Sequence, residues 1–543
     1  MTKQGAGQAG VGQRWTAPQR WTLAAAVLGS GMAFIDGTVV NVALSALQRD
    51  FGADVGSAQW VINGYTLMLA ALILTGGALG DLYGRRRVFG LGVLIFAAAS
   101  GLCGLAPTLG TLIAARVLQG IGGALLIPGS LAMIDAVFGD ALRGRAVGLW
   151  SAATSVVTVL GPVLGGVLID LGSWRWVFLI NLPLALLVLW CLRGVPETRA
   201  AGEGARRPDL PGAVLATAGL GALTYGLIQA GERGLGGSSL LIAGLGVAGL
   251  AAFVLWEARA PHPMLPLGLF RSAGFAGTNA LTFLLYGALG AALFFLPLNL
   301  IGVQGYSGTA AGTALLPMSL LLAGLSGVFG SLADRTGPRP LLTVGPILAG
   351  VGLAWLGFLG VGRPYLTGVL PGVLVLGLGM AITVAPLTSA VLGSVSADYA
   401  GTASGVNNAV SRAAGLLAVA LFTLLMLGSF RGSLSAQLAG TSLPLTARAQ
   451  MLGQSGRLAQ VPVPDGLSDA QAAEGRQAVR LAFADGFRQV CLWCGMLAAL
   501  GGLVGFLSLR GAGRGRQGGG AGENLHEPRG EEIRAGQAAP GRR

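Results

Sequence analysis

An all-α polytopic membrane protein with fourteen transmembrane helices is the fold class the sequence predicts, and three observations predict it. Only 10% of the 543 residues are charged while 53% are hydrophobic, against roughly 25% charged in an average soluble protein. Apolar runs of the length that crosses a bilayer, about 20 residues, recur along most of the chain. A polar turn motif between two such runs, beginning at Gly77, returns at Gly330.

Taken in order, the apolar runs fall at 21–45, 57–79, 88–106, 109–133, 146–169, 176–192, 210–230, 239–256, 273–297, 309–332, 340–360, 366–394, 402–427 and 487–508. Residues 1–20 are a polar leader without a small-residue cleavage site, so the first span is expected to be retained. Spans within 21–192 form one six-helix bundle, 193–272 carries two extra helices, and 273–508 forms a second six-helix bundle that includes a long loop at 428–486. The tail 509–543 is Arg/Gly-rich and expected to be disordered. Gly and Pro are frequent inside the spans, as in Leu160-Gly-Pro-Val-Leu-Gly-Gly166, which membrane helices tolerate because neighbours re-satisfy the backbone.

An even number of spans puts both termini on one side. Loops on that side carry Arg85, Arg86, Arg87, Arg143, Arg145, Arg193, Arg199, Arg206, Arg207, Arg259, Arg271, Arg335 and Arg339, and the opposite short loops only Arg49, Arg175, Arg233 and Arg363. The positive-inside rule makes the first side cytoplasmic, so both termini are expected in the cytoplasm of a bacterial cell, inside its plasma (inner) membrane. The loop 428–486 is then extracytoplasmic, a connector or a docking surface for a periplasmic adaptor protein.

Other function classes lack their chemistry. The net charge of +13 reflects Arg dispersed between apolar runs and not a basic domain, so no nucleic-acid partner is expected. Four cysteines (Cys103, Cys191, Cys491, Cys494) lie in apolar runs, far from His262 and His526, so no metal site and no metal cofactor is expected. Cys491-x-x-Cys494 lacks a thioredoxin-like context and reads as small residues at a helix contact. An intramembrane enzyme would need convergent nucleophile, base or metal groups, and the spans offer a single carboxylate and no histidine. Without a G-x-x-x-x-G-K-[ST] phosphate loop, energy is expected from an ion gradient.

Gly77-Ala-Leu-Gly-Asp-Leu-Tyr-Gly-Arg-Arg86 and Gly330-Ser-Leu-Ala-Asp-Arg-Thr-Gly-Pro-Arg339 share Gly, Leu, Asp, Gly and Arg at equivalent places. Both close an even-numbered span on the same side, which makes the halves parallel repeats about an axis along the membrane normal. The two turns single out Gly77, Asp81, Gly84, Arg85 and Arg86, and Gly330, Asp334, Arg335, Gly337 and Arg339.

With these turns the sequence resembles the major facilitator superfamily, specifically its fourteen-helix drug:proton antiporter branch of EmrB/QacA type. Leu112-Ile-Ala-Ala-Arg-Val-Leu-Gln-Gly120 is similar to the family's motif B, and Gly161, Pro162, Gly165 and Gly166 to its antiporter motif C. Phe34–Leu44, Gln59–Thr66 and Trp174–Pro183 are similar to segments typical of the branch. Ser45, Leu82 and Val157 depart from it, standing where Pro, Arg and Gly are common. The resemblance implies a proton-driven exporter of hydrophobic and often cationic compounds, working by alternating access, and a monomer is expected. The same fold also serves exporters or importers of one specific metabolite. It further implies that the two polar turns gate the cytoplasmic side, with Asp81 latched to Arg residues and a helix N-terminus across the gap between halves.

Asp36 is the acidic residue within a span, with Arg116 and Arg412 as the main intramembrane cations. A charge at that depth costs roughly 2.5–3.5 kcal/mol on insertion scales, so its retention points to function. A carboxyl group whose proton affinity differs between outward- and inward-facing states carries protons, and a cationic drug that neutralises the same carboxylate would exclude the proton, coupling opposite fluxes. For Arg116 the resemblance implies a part in that coupling. Asn41, Asn181, Asn279, Tyr286, Asn299, Asn407, Asn408 and Arg412 are the remaining polar candidates for a cavity wall, each with interhelical packing as its alternative.

Overall fold

The computed structural model describes residues 15–199, 208–396 and 399–509. Arg206, Arg207, His526, most of the leader and the tail beyond Leu509 lie outside the described residues.

Every described span is helical. The first half contains α1 (Ala17–Phe51), α2 (Val55–Tyr83), α3 (Arg85–Gly104), α4 (Leu109–Val137) and α5 (Asp140–Asp170). Its sixth span is broken into α6 (Trp176–Leu179) and α7 (Asn181–Leu192). The break follows from Pro183, which lacks an N–H and crowds the carbonyl four residues earlier, where α6 ends. Polar caps set the ends: Thr16 and Gln19 form a capping box before α1, and Thr108 and Thr111 do the same for α4, each satisfying N–H groups that the helix leaves free.

Two further helices, α8 (Leu210–Arg233) and α9 (Gly237–Glu257), form a hairpin. The second half has α10 (Ala273–Gly302), a split span α11 (Gly308–Thr313) and α12 (Leu316–Thr336), then α13 (Pro338–Gly357), α14 (Val369–Gly393), α15 (Ala400–Ala439), the short α16 (Leu445–Gly453) and α17 (Asp469–Ser508). Among the described residues thirteen spans are long and apolar enough to cross a membrane, the split α11–α12 span included, and Trp176–Leu192 supplies a shorter fourteenth. This is an all-helical, multi-pass membrane protein.

The segment expected as a loop at 428–486 is largely helix. The helix α15 continues to Ala439 and α17 begins at Asp469, so the connector shrinks to 440–468. Hydropathy marks where a chain leaves the membrane, not where a helix ends. Residues such as Ala470-Gln-Ala-Ala-Glu-Gly-Arg-Gln-Ala-Val479 are polar yet rich in strong helix formers.

The halves meet along two seams. On one, α2 and α15 run antiparallel, pinned where Thr423 donates to Gln59 Oε1 at 2.8 Å and where Leu74 lies against Gly405. The α8–α9 hairpin covers this seam from outside: Trp60 and Tyr225 rings meet at 6.1 Å, and Arg431 of α15 donates to the Gly231 and Glu232 carbonyls that end α8. On the other seam, α5 meets α11 and α12 only near the face opposite the N-terminus. Towards the N-terminal face the two helices diverge: a side chain at Gly144 or Gly148 on α5, or at Gly324 or Gly327 on α12, would meet open space. The bundle is therefore sealed on the far face and open between α5 and α12 on the N-terminal face.

Candidate functional site: a buried ion pair beside an open cleft

Asp36 on α1 and Arg116 on α4 form an ion pair inside the first half, 0% and 1% exposed. Arg116 Nη1 donates to Asp36 Oδ2 at 2.5 Å and to Gln119 Oε1 at 2.7 Å, and its Nε donates to the Val61 carbonyl at 2.8 Å. Gln119 and Asn181 both donate to Asp36 Oδ1, at 2.8 and 3.3 Å, and both also donate to Ser100 Oγ. The guanidinium lies 4.4 Å from the centre of the Tyr65 ring and 5.7 Å from that of Phe178. Each of these hydrogen bonds to Asp36 comes from a donor, one at Oδ2 and two at Oδ1.

Each member is placed by local structure. Arg116 and Gln119 are three residues apart and share one face of α4. Asn181 turns inward where the sixth span breaks. Gln119 and Ser100 are additions to the sequence reading. The three-residue spacing from Arg116 is the signal that could have found Gln119, whereas nothing local marks Ser100, one hydroxyl in an apolar helix.

Arg412 does not join the pair. It sits on α15 between the two pinning points of the α2 seam, on the helix face of Gly405 and Ala409, within electrostatic range of Tyr65. Its Nε is buried with no hydrogen-bond partner among the described residues, and none of their ion pairs includes it.

The other polar candidates separate. Asn407 donates to Asn279 Oδ1 at 3.2 Å and to Thr282 Oγ1 at 2.7 Å, tying α15 to α10. Asn299 lies at the far-face end of α10, where Gln304 donates to it at 3.4 Å. Tyr286 packs against the apolar core of the second half. Asn41 is half-buried one turn beyond Asp36, and Asn408 is exposed one turn before Arg412.

The repeated turns keep a common backbone. Gly84 and Gly337 each end one helix and begin the next with positive φ, +111° and +80°. In the first copy Arg85 pairs with Asp81 at 2.8 Å and donates to the Ala132 carbonyl, while Glu197 accepts from the Arg86 and Arg87 backbone N–H groups that open α3. In the second, Arg339 donates to the Phe506 carbonyl of α17. With the cleft open on this face, Asp81 bonds within its own half. A side chain at Gly77 would meet Pro128, and one at Gly330 would meet Ala385, at ordinary van der Waals distance, whereas Asp334 and Arg335 are exposed.

Of the four motif C residues, Gly161 and Gly165 face α1, and Pro162 and Gly166 line the sealed end of the other seam. A side chain at Gly161 would strike Thr38, one at Gly165 would come within 2.6 Å of Val39, and one at Gly166 would fall on the Gly308 carbonyl. The Pro162 carbonyl occupies the space a side chain at Gly312 would need. Small residues there let α5 approach both α1 and α11 backbone to backbone.

The model of the Major Facilitator Superfamily matches residues 26–419. The chain belongs to the major facilitator superfamily. Among relatives of this facilitator, the puromycin resistance protein pur8 of Streptomyces alboniger is 38% identical over 418 residues, 76% of this chain and 83% of that protein. The cephamycin export protein CmcT of Amycolatopsis lactamdurans is 38% identical over 412 residues, 74% and 84% of the two chains. The multidrug resistance protein Stp of Mycobacterium tuberculosis is 37% identical, covering 72% and 73%. In fold it is similar to a bacterial homologue of the human lysosomal transporter Spinster, with TM-score 0.63, 20% identity, and 92% and 98% of the chains covered. This facilitator is a transporter and not an enzyme.

Proposed function

We propose that the protein exports hydrophobic, drug-like compounds from a bacterial cell in exchange for protons, by alternating access, with both termini in the cytoplasm. Relatives named for resistance to, or export of, puromycin, cephamycin and multiple drugs support the substrate class. The Arg-rich loops of the N-terminal face support the orientation, since positive charge is retained on the cytoplasmic side. The cleft between α5 and α12 then faces the cytoplasm, where an exporter loads.

One observation carries the proton coupling: a carboxylate is held at membrane depth by one cation and two amides, all at the wall of a bundle with a single open end. A proton taken up by Asp36 from outside releases Arg116 from it, and loss of the proton to the cytoplasm restores the pair. Bistable packing converts that local exchange into movement of the halves. The membrane potential adds about 2.3 kcal/mol per 100 mV for each charge moved. Lipophilic cations fit the same scheme when they approach an Asp36 freed from Arg116. The chain suffices as a monomer, because each half supplies one wall of the cleft.

The test is transport by the purified protein in liposomes under an imposed pH gradient, with ethidium among a panel of drugs, beside Asp36→Asn. Gradient-driven movement that Asp36→Asn abolishes supports the reading. Movement that persists unchanged in the variant removes Asp36 from the coupling, and transport indifferent to the gradient removes the proton.

A further inference from the structure

We propose that Arg412 is the substrate-facing charge of the central cleft and that it receives an acidic group, a carboxylate or a comparable oxyanion, of the exported compound. This rests on the exporter reading above and names the charge of its substrate.

The inference starts from a count of charges at membrane depth. Within the apolar spans of the helices that line the two halves, 21–45, 57–79, 109–133, 146–169, 273–297, 309–332, 366–394 and 402–427, the acidic and basic residues are Asp36, Arg116 and Arg412. The first two neutralise each other. Every oxygen of Asp36 is engaged, and Arg116 is spent on Asp36, Gln119 and Val61. The charge left over is positive, and it comes from the other half.

Arg412 has no ion-pair partner among the described residues. Its Nε is buried without an acceptor among the described residues, and its aromatic neighbour Tyr65 spends its hydroxyl on the Ala33 carbonyl at 3.4 Å. A guanidinium is a planar fork that matches carboxylate geometry with two parallel bonds. Arg412 is half-buried, with only its Nε enclosed, so its terminal nitrogens remain open to an incoming anion that would pair the guanidinium. Asn408, one turn nearer the open face and exposed, adds an amide donor on the way in. A cationic compound entering the same cleft would meet Arg412 while Asp36 is still closed off by Arg116. An anion, moreover, is driven outward by the inside-negative potential that draws protons inward.

The experiment uses two dyes that share a xanthene core and differ in charge, anionic fluorescein and cationic rhodamine 123. Full-length protein, Arg412→Gln and Arg412→Lys are compared in proteoliposomes under the same pH gradient. In parallel, fluorescein binding to the detergent-solubilised proteins is measured by fluorescence polarisation. The wild type is expected to favour fluorescein. Arg412→Gln is expected to lower fluorescein transport and affinity at least tenfold while leaving or raising rhodamine 123 transport, and Arg412→Lys to retain a third or more of the fluorescein signal. Equal loss of both dyes in Arg412→Gln assigns Arg412 a structural role and overturns the proposal, as does a wild type that carries only the cation. Should the wild type move neither dye, the exporter reading is what fails for these compounds. The binding arm still decides the proposal, because fluorescein affinity unaffected by Arg412→Gln overturns it.

Discussion

Asp170, the last residue of α5, accepts a hydrogen bond from the Thr309 backbone N–H at 2.8 Å and another from the Thr309 hydroxyl at 2.6 Å, with Gly308 N–H adding a third at 3.1 Å. A residue of the first half thereby caps a helix of the second, on the face that is sealed. The carboxylate satisfies N–H groups that α11 leaves unpaired at its start. These bonds exist only while the far face is closed, so they stabilise the state open on the N-terminal face.

Removing them is expected to shift the conformational equilibrium towards opening of the far face. Asp170→Ala should raise the far-face-open population roughly three- to tenfold, a modest figure because the site is exposed and each bond is worth little net of water. Spin labels at Leu171 and Arg363, one on each half at that face, report it as longer inter-label distances. The four native cysteines are buried and do not compete for label. An unchanged distance distribution would mean that the glycine contacts alone hold the seal.

Those contacts give a steric prediction. A methyl group at Gly166 would fall on the Gly308 carbonyl, and backbone cannot yield as a flexible side chain can. Gly166→Ala is expected to abolish transport while the protein still folds, since the clash arises only when the far face closes. Gly244→Ala, on the hairpin helix α9 where a methyl group meets open space, should transport normally. Full activity in Gly166→Ala would show that α5 and α11 need not come this close during the cycle.

Asp36 and Arg116 make an ordinary double-variant test unusually informative. Removing one partner of a buried pair strands the other charge, at a cost of about 3–5 kcal/mol, whereas removing both strands none. Asp36→Asn and Arg116→Gln should each lower thermal stability, and the combined variant should regain much of the loss without regaining gradient-driven transport. Stability losses that simply add would mean the two side chains are independent in the folded protein.

Much of this was legible in the sequence because a bilayer imposes one rule on every span. Length and polarity located the helices, and the repeated turns at Gly77 and Gly330 related the halves. The buried charges Asp36 and Arg116 were legible for the same reason: an ion in an apolar run is costly enough to require a purpose. What escaped was whatever depends on neighbours. Nothing in the sequence around Ser100 says that it faces Gln119 and Asn181. The helical extensions of α15 and α17 escaped because hydropathy is blind to polar helix. The partner of Asp81 also escaped: in this state the carboxylate bonds to Arg85, four residues away, and not across the gap.

The two repeated turns separate backbone conformation from packing, and substitution at Gly84 and Gly337 should show the difference. Both glycines have positive φ with extended ψ, a region adopted almost only by glycine, where a non-glycine residue costs about 1–3 kcal/mol. At Gly337 a methyl group meets open space, so Gly337→Ala should carry that conformational cost alone. At Gly84 the same methyl would lie 2.7 Å from Glu197 Oε1, the oxygen that accepts from the Arg86 N–H at the start of α3. Gly84→Ala must then also displace the cap, and caps of this kind are worth about 1 kcal/mol. Gly84→Ala should therefore lower the midpoint of thermal unfolding in detergent more than Gly337→Ala does. Combining Gly84→Ala with Glu197→Ala should add little to the Gly84→Ala loss, because the substitution has already displaced that carboxylate. Equal losses at the two glycines, or full additivity with Glu197→Ala, would show that Glu197 does not secure the first turn.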